Sequence, residues 1–384
     1  MFTWDFTQQS PGALVLPTGL TFARASSGHT VQTGTSTIVT SGITSNDIGR
    51  IGRLATAHSY GLFIEPSRTN VVTQSRTPQS LAVGSWASTT TGQSDAAGGT
   101  SAVRVTTTSG GTGRYQAPAT LRTGAYTASQ WVRQGAGSGS YQLVQGNATV
   151  AAVGGTAPVA WTRTECLYTF AASAAAFLPG DGRNFASSGG VAAGARDFVL
   201  DFMQHEAGKY PTSAIVTSGS EATRAAERLT IGATQAVQAA FKGRLGFYVR
   251  FRAIAALTEM DATTEGQILF GVGTTCSVWI SAASRYIIIE DATGSKYSQT
   301  ANSVITWARG DLVEMVMELG NGVSNFRWRI NGGSVNTASF TARNDSLDPI
   351  VPSSGLDVLC AGTSWQTPAV LEQATLFVPG RGLF

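Results

Sequence analysis

Three histidines, His29, His58 and His205, are the side chains of this sequence best suited to moving a proton near neutral pH. None stands at metal-ligand spacing from another or beside a cysteine, so a polar surface or core imidazole outweighs a metal or acid–base role. Cys166, Cys276 and Cys360 are odd in number and far apart, which argues for buried free thiols rather than a disulfide framework or a zinc site. No Gly-x-Ser-x-Gly elbow, Gly-x-Gly-x-x-Gly turn or phosphate loop occurs. Glycoside hydrolysis would need two carboxylates about 5–9.5 Å apart across a cleft. Glu290 and Asp291 are adjacent and face opposite sides of a strand, so they cannot form that pair. Asp181, in Pro179-Gly180-Asp181-Gly182-Arg183-Asn184, and Asp345 and Asp348, in Asn344-Asp345-Ser346-Leu347-Asp348, lie in oxygen-rich loops. Such loops either hold Ca2+ or close Asx turns on their own backbone, and the turn is the commoner outcome. No other cofactor is implied. Sugar recognition is the remaining chemistry, through aromatic faces with polar groups beside them. Trp86, Trp307, Trp365, Tyr141 and Tyr297 fall outside clean strand alternation and are the candidates, with buried packing as the competing reading of each. Trp131, Trp279 and Trp328 sit inside strand patterns and read as core.

The elements that must position these residues are strands. Of 384 residues, 42% are apolar and only 13% charged, while 45 Gly and 12 Pro punctuate the chain, a profile of turn-rich β structure rather than helical bundles. Ala102–Thr106, Tyr126–Arg133 and Asn325–Ile330 alternate with period two, and Phe198–Met203 is a nearly continuous apolar run. Gly61–Glu65 reads as a strand ended by Pro66, and Asn331-Gly332 predicts a tight hairpin. Helix is expected only at Glu221–Leu229. The fold class is therefore all-β, two tandem β-sandwich (jelly-roll) domains at 76–230 and 231–384 preceded by a short β-rich docking segment at 1–75. A net charge of +3 without a basic run argues against nucleic acid, and no apolar run is long enough for a membrane helix. The first residues lack a charged leader and an apolar segment, so the expectation is synthesis in the cytoplasm without a signal peptide.

Three phrases carry a resemblance. Phe22-Ala23-Arg24-Ala25-Ser26 precedes Gly61-Leu62-Phe63-Ile64-Glu65-Pro66-Ser67-Arg68-Thr69-Asn70, with Ser75 and Trp86 beyond it. Glu206-Ala207-Gly208, Thr212-Ser213-Ala214-Ile215-Val216-Thr217 and Thr223-Arg224-Ala225-Ala226-Glu227 follow. As a set these resemble phage virion structural proteins, the tail-fibre, head-fibre and minor structural proteins with carbohydrate-binding-module-like and concanavalin A-like (laminin G-like) β domains. The resemblance covers residues 1–230 well and the remainder by strand pattern. Two departures are a small Ala214 where the family carries an aromatic, and a short spacer between the first two phrases.

The resemblance implies a non-enzymatic virion component made in the host cytoplasm, a fibre, spike or capsid decoration that binds host-surface polysaccharide during adsorption. It also implies contacts with other virion proteins and a homo-oligomer, a trimer by analogy. A virion scaffold without ligand is the alternative, and a glycan-degrading depolymerase the rival from another class. The motif residues themselves read as structural. Glu65 and Arg68 span a Pro-Ser turn at carboxylate–guanidinium reach, Asn70 can satisfy turn backbone, and Arg24 and Arg224 flank the first β domain.

Overall fold

The computed structural model describes residues 1–9, 12–14, 16, 18–24, 30–32, 38–40, 49–54, 57–83, 87–107, 114–116, 124–136, 139–145, 151–170, 185–187, 196–232, 245–260, 267–272, 276–280, 285, 287–290, 296–298, 305–320, 323–339, 356–361 and 365–377. It is all-β; among the described residues the one helical element is the 3-10 turn Pro78–Ser80. The helix expected at 221–229 is instead two strands, Ala222–Arg224 and Arg228–Ile231. Good helix formers there are overridden by pairing: Arg224 lies opposite Arg68, and Leu229 lies between Phe22 and Val358.

Two compact units divide the chain. A terminal unit takes residues 1–27, 43–67 and 225–384, and an inserted unit takes 28–42 and 68–224. Most of the segment expected to dock as a separate N-terminal piece belongs to the terminal unit and supplies strands to both of its large sheets.

In the terminal unit a nine-stranded antiparallel sheet runs Gly12–Leu14, Gly49–Gly52, Gly61–Ile64, Ala369–Phe377, Leu245–Ala253, Leu312–Gly320, Val323–Ile330 and Asn336–Ser339. Phe2–Asp5 pairs the far half of the Ala369–Phe377 strand. A seven-stranded sheet takes Lys296–Ser298, Ile287–Glu290, Cys276–Ile280, Gln267–Val272, Leu356–Val358, Arg228–Ile231 and Leu20–Ala23. Alternation gives the larger sheet one apolar face. Phe247 lies opposite Met317 and Met317 opposite Phe326; Val249 lies opposite Met315 and Met315 opposite Trp328, and all six are buried. The Asn331-Gly332 hairpin forms as its sequence predicts, with φ of 51° and 69° at its two central residues and the Gly333 N–H returning to Ile330 O at 2.9 Å. Gly61 is required by contact, since a Cβ there would stand 2.6 Å from Leu371 O.

The inserted unit has two five-stranded sheets. One orders Ala87–Gln93, Ala102–Thr107, Arg196–Ala207, Gly124–Gln134 and Thr162–Phe170; the other orders Ala151–Thr156, Ser140–Gln145, Phe185–Ser187, Arg114–Gln116 and Ala82–Val83. Val103, Val105, Ala128, Val132, Phe198 and Leu200 from the first sheet cluster with Leu143 from the second, the signature of a sandwich core. A bulge interrupts the long strand. Gln130 pairs Met203 and Trp131 pairs Asp201, leaving Phe202 as the extra residue at φ 35°. The bulge brings Phe202 edge-on to Trp131, ring centroids 5.4 Å apart, in a second apolar cluster with Ala96 and Ala214. The room an aromatic would need at position 214 is taken by these two rings.

Candidate functional site

Polar groups of the resembling phrases are spent on two buried latches. In the inserted unit Asn70 is fully buried; its Oδ1 accepts the N–H of Val72 and of His205, each at 3.1 Å, and its Nδ2 donates to Ile215 O at 2.8 Å. Ser75 and Thr217 exchange bonds, backbone N–H to hydroxyl in both directions at 2.8 Å. Glu206 accepts the Thr212 N–H and hydroxyl, both at 2.7 Å, and Gln204 bridges Glu206 to the Ile215 N–H. Arg224 donates to the carbonyl and hydroxyl of Ser213. Gly208 sits at φ 124°, where a Cβ would also meet the Arg68 guanidinium at 2.7 Å, and Arg68 in turn lies 5.3 Å over the Tyr210 ring. These segments lack ladder partners along much of their length, and the side chains replace them.

The terminal unit has its own latch. Arg24 and Glu227, both with side chains at 0% exposure, pair at 3.2 Å; Glu227 also accepts the Glu65 N–H, and the Glu227 N–H returns to Glu65 O. Arg24 and Arg224 are thus interior braces. The carboxylate of Glu65 is fully buried.

Among the expected sugar-stacking residues, Trp307 is in the core; its indole N–H donates to Ala255 O at 3.1 Å and its ring meets Phe251 edge-on, leaving no face for a ligand. The irregular sequence around Trp307 hid this because the burial comes from a loop packing under the sheet end. Tyr141 is half-buried against the inserted unit's core, which pushes its hydroxyl pKa up. Trp365 and Tyr297 lie in the strands Trp365–Gln366 and Lys296–Ser298, with their side chains outside the described residues. Trp86, Asp181, Asp345 and Asp348 also fall outside the described residues, as do His29 and Asp291. Trp161, not singled out by its sequence context, is a half-buried aromatic with the Arg133 guanidinium 5.1 Å over its ring.

Asp95 resembles a cation ligand by type only. It accepts the N–H groups of Ala97, Gly99 and Ser101 and the Ser101 hydroxyl, and pairs with Arg76 at 3.3 Å. Burial pushes its carboxyl up, but the Ser101 and Gly99 bonds and Arg76 outweigh it and hold the group at about 2. Surrounded by donors, it is a loop brace. Arg76 also reaches Asp201, whose carboxyl burial pushes upward.

The second face of the terminal unit's larger sheet is different: it combines a buried apolar cluster of Tyr248, Val316 and Phe377 with charged side chains. Alternation along Leu245–Ala253 places Tyr248, Arg250 and Arg252 on it, with Glu314 and Val316 on one neighbouring strand and Arg327 and Arg329 beyond. A second bulge completes the group. Arg250 pairs Gln373 and Phe251 pairs Leu371, so Glu372 is the extra residue, and it lies between the two arginines. Its oxygens stand 2.9 Å from Arg250 Nε and 3.0 Å from Arg252 Nε, with the carboxylate completely buried. Neither contact is aligned as a hydrogen bond, and burial therefore prevails over both guanidiniums and raises the Glu372 pKa. On the other side of Arg250, Arg329 grips Glu314 through two nitrogens at 2.6 and 2.8 Å, and the Tyr248 hydroxyl donates to it at 3.0 Å. Burial pushes Glu314 up, but these bonds outweigh it and lower its pKa.

Glu314 and Glu372 therefore flank Arg250 two strands apart, roughly 9–10 Å between Cα atoms at ordinary strand spacing. Each carboxylate is buried and held against guanidinium. The arginines are the partly exposed members of the group, Arg250 at 34% and Arg252 at 16% of the side chain. Among the described residues no hydrogen bond reaches the terminal nitrogens of Arg250, and the single one to Arg252 is its NH1 donating to Gly310 O at 3.3 Å. Planar, fixed and charged, guanidinium edges recognise oxyanions and hydroxyls.

No family model matches the chain, and no curated protein matches it significantly. Among solved structures it is similar in part to NanB in the structure NanB plus Optactamide, with 13% identity over 38% of this chain and 23% of that one and a TM-score of 0.27. It is similar to the same extent to the NanB sialidase from Streptococcus pneumoniae in complex with 2-[(3-chlorobenzyl)ammonio]ethanesulfonate, at 13% identity, 38% and 23% coverage and a TM-score of 0.28. The matched region takes in less than a quarter of either NanB chain, and likeness at this level carries no argument about activity.

Proposed function

We propose that the chain is a structural component of a phage virion, a fibre, spike or decoration protein, that binds host-surface glycan at the partly exposed arginines of the terminal unit's nine-stranded sheet. The observation that carries the binding role is the pair of guanidiniums at Arg250 and Arg252, braced by the buried Glu372 while their side chains keep 34% and 16% exposure. The virion setting rests on the resembling phrases, whose polar residues build the two latches, as expected of modules kept for their shape. The partners are other virion proteins and further copies of the chain, with a trimer as the favoured assembly.

The test is retention of the full chain on capsular or wall polysaccharide from candidate hosts, with the polymer sized afterwards. Retention with intact polymer supports the reading. Shortened polymer favours the depolymerase reading and sends mutagenesis to Glu314 and Glu372, the buried carboxylates on either side of Arg250. No retention across a broad panel favours a pure scaffold.

A further inference from the structure

The inserted unit sets two arginines over two tryptophans on neighbouring strands. Trp131 lies opposite Arg163, whose guanidinium stands 4.6 Å over its ring. Val132 lies opposite Thr162, so one step further along the same pair of strands Arg133 comes beside Trp161, its guanidinium 5.1 Å over that ring. The Gln134 N–H donates to Pro158 O at 2.7 Å and ties down the turn that delivers Trp161. The two pairs differ in what can reach them. Trp131 is fully buried, and Arg163 donates to the Ser129 hydroxyl at 2.8 Å. Trp161 and Arg133 are partly exposed, and the indole rests on the cluster of Ala96, Trp131, Phe202 and Ala214 with Val216 at its margin.

Arg133 has no carboxylate partner among the described residues. The acids of the neighbouring strand and loop are taken: Asp95 and Asp201 by Arg76 at 3.3 and 3.2 Å, and Asp197 by Arg104 at 2.8 Å. Its guanidinium donates to two carbonyls, Gln134 O at 3.2 Å and Ser94 O at 3.5 Å, the second at the limit of a hydrogen bond. Its remaining N–H groups have no acceptor among the described residues. Neither has the indole N–H of Trp161, whose nitrogen, unlike that of Trp131, is not buried. The pair therefore offers donors, a cation and an apolar floor. A carboxylate can take the guanidinium edge while the indole keeps the cation's face. The apolar C–H groups of a sugar ring can cover the margin of the indole and Val216. A neutral sugar would gain only the second of these.

We propose that Arg133 and Trp161 form a glycan site of their own on the inserted unit, one that takes a sugar bearing a carboxylate. It rests on the glycan-binding reading above but shares no residue with Arg250 and Arg252. The full chain, labelled with fluorotryptophan, is titrated with trigalacturonate, with maltotriose as the neutral trisaccharide, and with acetate. The Trp161 fluorine resonance, identified by its absence in Trp161→Phe, is followed by NMR, and affinity by calorimetry. Trigalacturonate is expected to move that resonance and to act more weakly as salt screens the charge. Arg133→Gln is expected to lose about tenfold in affinity at that resonance. The wild-type resonance decides the matter even where a variant folds poorly: if trigalacturonate leaves it unmoved, the proposal is overturned. Heat of binding without that movement leaves the glycan reading standing. Loss of the movement in Arg250→Gln but not in Arg133→Gln likewise overturns the proposal and favours the terminal unit's arginines. Maltotriose acting as strongly overturns the acidic class, and acetate acting as strongly at equal carboxylate concentration overturns the sugar. Neither heat nor movement with either trisaccharide counts against both readings.

Discussion

Replacing Asn70 by alanine tests whether the resembling phrases are structural. The amide is fully buried and makes three short bonds, two accepted from backbone N–H groups and one donated to a carbonyl. Alanine leaves the Val72 and His205 N–H groups and the Ile215 carbonyl short of a partner. Each buried donor left alone costs about 1–3 kcal/mol, so two donors alone give about 2–6 kcal/mol. A water entering the space would meet the same three partners and recover part of the loss. We expect about 3–4 kcal/mol, a large share of the roughly 5–15 kcal/mol that holds a domain together. Asn70→Asp sharpens the test. It keeps the acceptor for both N–H groups but sets a second oxygen against Ile215 O, 2.8 Å from where the amide nitrogen was. Burial raises such a carboxyl above its unfolded value near 3.9, so its stability is full below that pH, where it can donate to the carbonyl, and is lost as pH rises through the raised folded pKa. Urea unfolding of the full chain between about pH 3.5 and 7, followed by circular dichroism, measures both. A loss under about 1 kcal/mol for Asn70→Ala, or a pH-independent Asn70→Asp, refutes the latch.

Other expectations follow from the same geometry. Asp95 is held at about 2, below its unfolded value, so it stabilises the inserted unit above about pH 4 and that contribution, no more than about 2 kcal/mol, is lost as pH falls through 2. In Asp95→Asn this part of the acid unfolding transition, followed by circular dichroism, should disappear. Trp307→Ala should cost about 3–5 kcal/mol in urea unfolding, because it empties a packed site and orphans the Ala255 carbonyl, whereas an exposed sugar platform would cost little. Gly246→Ala would drive a Cβ into the Phe377 ring; by thermal melting it should cost about 1–3 kcal/mol, with smaller loss when Phe377 is reduced to leucine.

Strand alternation made much of the architecture readable. The Asn325–Ile330 run, with Phe326 and Trp328 inside and Arg327 and Arg329 outside, is where its period places it. The segment at 221–229 went astray because helix propensity is a weak local preference, and pairing to Phe22 and Val358 exceeds it. Trp307 went astray for a related reason: irregular sequence is not exposed sequence, and a loop can insert an indole beneath a sheet. Arg250 and Arg252 were legible in principle, since Tyr248-Val249-Arg250-Phe251-Arg252 alternates as cleanly as any strand of the chain. What no spacing announces is their partner, 120 residues beyond Arg252 at Glu372.

That gap has a common physical source. Each sheet that carries a concentrated polar group also carries a one-residue bulge, Phe202 in the inserted unit and Glu372 in the terminal unit. A regular strand would send neighbours to opposite faces, so Asp201 and Phe202 could not serve the positions they now occupy together, nor could Glu372 sit between two arginines whose partners are Val370 and Gln373. The extra residue breaks the period locally and re-aims one side chain without disturbing the apolar face on either side of it. Periodicity therefore reads the core of this protein and is blind at the points where it departs from the core. Deleting Glu372 separates the two roles: Leu371 keeps its place opposite Phe251 and Gln373 its place opposite Arg250, now as consecutive residues of a regular ladder. Retention of the sheet with loss of the carboxylate between Arg250 and Arg252 is the consequence to expect, so unchanged strand content by circular dichroism together with lost glycan retention would separate the brace from the fold.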